Sequence, residues 1–113
     1  MHELAVTQSI INISSEEAVK HNVKTVKEIR IHVGELSGLI PECIQYYFNI
    51  ASKDTIVEGA LLKIKKMPIK IKCNECGHIN VIKKGEYSCP KCNSYNIKII
   101  GGNEFFIESL EVE

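Results

Sequence analysis

The sequence predicts an α+β fold: two helices packed on a small three-stranded sheet, with a four-cysteine module inserted before the last strand. Three observations carry this. The period of the apolar residues switches between helical and strand spacing along the chain. Four of the five cysteines fall into two Cys-x-x-Cys pairs. Charge is segregated: residues 60–99 hold nine lysines against only Glu75 and Glu86, net +7, and the remainder is net −7, so the 113-residue chain sums to zero. A basic segment set into an acidic one suggests two parts with different surfaces.

The elements follow in order. Glu3 to His21 reads as a helix, with Leu4, Ile11 and Ala18 at a spacing of seven and Val6, Ile10 and Ile13 as a neighbouring stripe. Glu3 suits the positive end of the helix dipole. Ser14-Ser15-Glu16-Glu17 resembles a capping box and suggests a break there. Asn22 is a candidate for the residue just past the helix, and His21, as a cation, suits its negative end. Thr25 to Val33 reads as a strand, with Ile29, Ile31 and Val33 inward and Glu28, Arg30 and a solvated His32 outward. Gly34 and Gly38 bracket a turn. Pro41 opens a second helix whose Ile44, Tyr47, Phe48 and Ala51 follow helical spacing; Cys43 on it reads as a packed core thiol. Leu61 to Met67 is a second strand whose alternation slips at Lys65-Lys66, indicating a bulge or an exit toward another domain. Phe105 to Val112 is a third strand of mixed alternation.

Several classes are excluded. Apolar content of 44% with 25% charged residues is that of a globular chain. No run approaches the length of a membrane span, and no basic stretch leads into a long apolar one at the N-terminus, so a cytoplasmic protein is expected. No phosphate-binding G-x-x-x-x-G-K-[ST] loop is present. Nothing near Cys43 has the spacing of a nucleophile's partner, so an enzyme is not expected.

Cys73, Cys76, Cys89 and Cys92 carry the strongest chemical signal. Zinc takes four thiolates in a tetrahedron, and a two-residue gap lets one turn present two sulfurs to the same ion. Gly77 and Asn93, each just after the second cysteine of a pair, tolerate the positive φ such turns need. Tyr87 and Ile79 are candidates to cover the module, which is too small to fold by burial alone. An iron site of rubredoxin type, a redox pair and disulfides use the same residues; the absence of a secretory signal disfavours disulfides. His78 reads as a solvent-exposed histidine, with an auxiliary or exchanging ligand as the sharper alternative. All four positions are cysteine, so no open coordination position remains for catalysis.

Met1-His2-Glu3-Leu4, Val33-Gly34-Glu35-Leu36-Ser37, Pro41-Glu42, Glu58-Gly59, the two cysteine pairs and Ile107-Glu108-Ser109-Leu110-Glu111-Val112 together resemble the HypA/HybF family of nickel metallochaperones of [NiFe]-hydrogenase maturation, end to end. The resemblance implies a nickel-binding α+β domain of residues 1–68 and 100–113 and an inserted zinc-ribbon-like domain of residues 69–99. It implies Ni²⁺ as cargo, held by the His2 imidazole and backbone nitrogens near His2 and Glu3, with the Met1 terminus as a further donor, and Zn²⁺ as a structural ion at the four cysteines. Nickel(II) suits imidazole and amide nitrogen in a tetragonal arrangement, which agrees with this assignment. Glu3 either orients that site or merely caps the helix. Some relatives carry an acid shortly before the second helix; here that stretch is Leu39-Ile40-Pro41, and the nearest acids are Glu35 and Glu42. Implied partners are a HypB-type GTPase and the hydrogenase large-subunit precursor, with room for a homodimer and without nucleic acid or membrane. The competing reading is a zinc-ribbon nucleic-acid-binding or protein-interaction module; as a nucleic-acid reader it would have only Tyr87 and Tyr95 for stacking.

Overall fold

The computed structural model describes residues 3–113; Met1 and His2, and the nickel-ligand reading placed on them, lie outside these residues. The chain forms two compact units. The first comprises residues up to His32, Leu39–Lys65 and Phe106–Glu113; the second comprises Val33–Gly38 and Lys66–Phe105. The expected α+β class holds: two helices and two three-stranded sheets.

In the first unit α1 spans Glu3–Lys20 and α2 spans Pro41–Ala51, and the two pack together. No break occurs at Ser14. That residue is buried on the same stripe as Thr7, Ile10, Ile11 and Ala18, so tertiary burial overrides the local capping signal. The buried stripe is therefore turned from the one expected. Leu4 and Ile13 are half exposed, and two small hydroxyl residues stand inside instead. The Thr7 hydroxyl donates to the Glu3 carbonyl at 2.6 Å, whereas Ser14 Oγ is buried with no partner among the described residues. The helix ends as expected at Asn22, whose φ of 56° places it in the left-handed region. The Asn22 N–H donates to the Val19 carbonyl at 3.1 Å and the Val23 N–H to Ala18 at 2.8 Å, the paired bonds of a Schellman motif.

β1 (Val26–Gly34) is the central strand of a sheet ordered β2-β1-β6, with β2 spanning Leu61–Met67 and β6 Phe105–Val112. Its inward Ile29 and Ile31 are fully buried, as are Ile44 and Phe48 of α2. Tyr47, expected inside, is more than a third exposed and stands edge-on to Tyr46 at 5.5 Å. Cys43 is only half-buried and not the packed core thiol expected. His32 is not solvated either. Its side chain is 13% exposed, its Nε2 lies 2.7 Å from Glu108 Oε1, and its ring stacks on Phe106 at 4.6 Å. Strand pairing with β6 supplies these neighbours, which the alternation of β1 alone does not reveal.

The mixed alternation of β6 has a physical origin. Glu108 meets His32, yet its neighbour Ser109 accepts from Arg30 at 3.3 Å, as does Glu111. Arg30 and His32 share a face of β1, so consecutive residues of β6 reach the same face and its phase slips by one there.

The second unit has its own sheet, ordered β4-β3-β5, from Ile69–Cys73 (β3), Ile79–Ile82 (β4) and Ile97–Gly101 (β5), antiparallel throughout. The phase slip at Lys65-Lys66 lies within β2, where the chain passes from the first unit to the second, as the exit reading expects; Pro68 alone then separates β2 from β3. The core is Ile69, Ile71 and Ile82, with Leu36 and Ile97 packed on it. Tyr87 and Ile79 do not cover it: both are exposed, because the register turns Ile79 to the opposite face. Leu36 reaches the core from the short 3-10 turn Glu35–Ser37. The Gly34 and Leu36 amides donate at 2.7 Å to the carbonyls of Glu104 and Gly102. A Cβ on Gly34 would stand 2.0 Å from the Gly102 carbonyl oxygen, so this approach requires glycine.

Candidate metal centre

The two cysteine pairs adopt the same local geometry. In each, the amide of the first cysteine donates to the carbonyl five residues on: Cys73 to His78 at 3.0 Å and Cys89 to Ser94 at 2.9 Å. In each, the first cysteine's carbonyl accepts from the residue four on: Gly77 at 2.9 Å and Asn93 at 2.8 Å. Those residues have φ of 73° and 61°, as their positions after the pairs predict. The repeated turn aims both sulfurs of a pair at one point.

The four Sγ atoms lie within 4.8 Å of one another. Cys73 and Cys92 Sγ are 3.5 Å apart, and Cys76 and Cys89 Sγ are 3.7 Å apart. A tetrahedron of sulfurs about 2.3 Å from a central ion has edges of about 3.8 Å. A disulfide needs about 2.05 Å, so these are free thiols spaced for an ion. The donor set therefore fits a tetrahedral, thiophilic cation. Cys73 and Cys89 are buried, whereas Cys76 and Cys92 are exposed.

The polar surroundings favour thiolates unevenly. The Cys76 backbone N–H, 3.4 Å from Cys73 Sγ, lowers the Cys73 pKa. The backbone N–H of Cys92, together with that of Lys91, brings Cys89 down to about 7 despite its burial. Cys92 goes the other way. The Ser94 N–H pulls it down, but the thiol of Cys73, partial desolvation by the neighbouring turn although the residue as a whole is exposed, and the thiols of Cys89 and Cys76 together push it up to about 12. Crowded like charges cannot all form unaided, and a bound cation supplies the compensation.

Three asparagines hold this arrangement and were not singled out from the sequence. Asn80 Nδ2 points at Cys89 Sγ from 3.6 Å. Asn74 and Asn96 join the two turns twice, through the Asn74 N–H to the Asn96 carbonyl at 2.9 Å and Asn74 Nδ2 to Asn96 Oδ1 at 3.0 Å. Asn96 Nδ2 also donates to Glu75 Oε1 at 3.2 Å. Asparagine is common in turns, so only the fold distinguishes these. His78 is exposed and stands outside the four-sulfur group. Of the residues named for nickel, only Glu3 is described: it opens α1, and its carbonyl accepts from Thr7.

Fold and centre together define a small α+β metal-binding protein with a closed four-cysteine group. The family described as "Hydrogenase/urease nickel incorporation, metallochaperone, hypA" matches residues 1–112. The chain is 36% identical over 113 residues to the hydrogenase maturation factor HypA of Dehalococcoides mccartyi strain 195, covering all of this chain and 95% of that one. It is 40% identical over 114 residues to that of Caldanaerobacter subterraneus, covering all of both. The solution structure of the nickel metallochaperone HypA from Helicobacter pylori superposes with a TM-score of 0.70 at 29% identity, over 99% of this chain and 97% of that one. A second HypA solution structure gives 0.75 at 29% identity, over 100% and 97%. The chain belongs to the HypA family of nickel metallochaperones in hydrogenase maturation, a family of metal carriers and not of enzymes. No described helix is long and apolar enough to cross a membrane.

Proposed function

We propose that this chain takes up Ni²⁺ at its N-terminus and hands it to the large-subunit precursor of a [NiFe]-hydrogenase, working with a HypB-type GTPase. The observation that carries this reading is the family match, which begins at residue 1 and so includes Met1-His2-Glu3. In it the His2 imidazole and the nearby backbone nitrogens, from Met1 to Glu3, are the nickel donors. Imidazole and amide nitrogens suit the tetragonal preference of nickel(II). The nickel-binding part is residues 1–68 and 100–113, and the zinc-binding part is residues 69–99. The resident ion at Cys73, Cys76, Cys89 and Cys92 is zinc, with a structural role: four thiolates complete its coordination and leave no position for substrate.

The test is metal analysis of the chain with a free, untagged N-terminus. The parent should retain one zinc and bind one nickel. His2→Ala should lose stoichiometric nickel binding and keep its zinc and its circular dichroism spectrum. A variant that binds nickel as tightly as the parent overturns the site.

A further inference from the structure

The sheet of the second unit has one covered face and one open face. Ile69, Ile71 and Ile82 pack with Leu36 on the covered face. The register sets the other: Lys70 pairs with Val81 on one side and Gly101 on the other, and Lys72 pairs with Ile79 and Lys98. Paired residues share a face. Three lysines and two aliphatic side chains are thus gathered on one surface, all exposed, with Ile79 and Val81 each more than half so.

Two features separate this surface from an ordinary solvated one. Lys72 stands directly opposite Lys98, and like charges across a ladder destabilise it. The charge is also left unneutralised. Every ion pair among the described residues joins residues of the first unit, and none involves a lysine of residues 63–98. Of the second unit's acids, Glu75 is held by the Asn96 amide, and Glu104 accepts the Gly102 N–H at 2.6 Å through Oε1 while its Oε2 lies beside Gly101 and the Lys70 stem, so one carboxylate borders the face without forming an ion pair with its lysines. The aliphatic pair beside the lysine stems makes the strip amphipathic.

We propose that this face of β4-β3-β5 docks an acidic segment of a partner protein, its carboxylates on Lys70, Lys72 and Lys98 and its aliphatic side chains on Ile79 and Val81. Charge complementarity selects an acidic occupant, and the exposed Ile79 and Val81 select a polypeptide with apolar residues. A nucleic-acid groove interleaves aromatic rings with its cations, and the strand pairs of this face include none. The unit as a whole carries seven lysines against four acids, net +3, so the face and not the net charge is the recognition element. The proposal stands apart from the nickel reading, since the face is present whatever the N-terminus binds.

The experiment is an NMR titration of the full, zinc-loaded, isotopically labelled chain with a synthetic peptide of alternating glutamate and valine. The same peptide with lysine for glutamate and a single-stranded oligonucleotide serve as the other two probes. Shifts should centre on residues 70, 72, 79, 81 and 98 for the acidic peptide and be absent for the basic one. Lys70→Glu with Lys98→Glu, at unchanged zinc content, should weaken binding at least about tenfold, and the matching arginine variant should restore it. Ile79→Ser with Val81→Ser should weaken it about fivefold. Overturning results are equal or tighter binding of the oligonucleotide, no binding of the acidic peptide at low salt, or binding that is indifferent to both double variants.

Discussion

In the first unit, Ile29 and Ile31 of the central strand and Ile44 and Phe48 of α2 are wholly buried, and among the described residues three Lys/Arg–Glu ion pairs and two histidine–glutamate contacts link its side chains. The second unit has three buried isoleucines, two buried cysteines and no ion pair among the described residues. The contrast locates the source of order. Two helices over a sheet bury enough apolar surface to hold the first unit. The second lacks such a layer and leaves its lysines without ion pairs, so a metal ion held by the four sulfurs would supply much of its cohesion.

The largest effect should come from removing that ion. Chelation, or Cys73→Ser, should melt the second unit, because a structural zinc site is worth about 10–16 kcal/mol of apparent binding energy near neutral pH. Amide exchange should rise across residues 66–105 and stay slow in β1 and α2. Collapse of both units together would break the comparison. Four thiols must lose their protons to bind, so protons compete with the metal. The same chelator should strip the protein more readily at pH 6 than at pH 8, and a pH-independent loss would argue against thiolate ligation.

A smaller and opposite effect should follow from Phe48→Ala. Truncating a fully buried phenylalanine costs about 3–5 kcal/mol, here confined to the first unit. Thermal unfolding should shift down while metal content at 20 °C stays at parity; loss of the metal alongside would show that the units are not separately sustained. The smallest effect should be a gain. Ser14→Ala removes a buried hydroxyl with no partner and substitutes a better helix former, so stability should rise by about 1 kcal/mol in chemical denaturation. A loss would mean that the hydroxyl has a partner after all.

The two units also differ in how far they can be read from sequence. The four cysteines were legible because ligand spacing within a turn is a local property. The helices, the strands of the first sheet and the Asn22 helix end were legible for the same reason. What escaped depends on neighbours far along the chain. His32 looks solvated until β6 brings Glu108 beside it, 76 residues away. Thr7 and Ser14 look like surface residues until α1 is packed. Gly34 and Leu36 read as a turn after a strand, yet they meet Gly102 and the isoleucine core of the second unit.

The burial of the four cysteines is uneven, and this orders their chemistry. Within each pair the first cysteine is buried and the second exposed, and each short sulfur–sulfur contact joins one residue of each kind. An alkylating or oxidising reagent arriving from solvent therefore meets Cys76 and Cys92 first. The ion should be released through those two arms while Cys73 and Cys89 still hold it, a half-open state whose remaining donors come one from each turn.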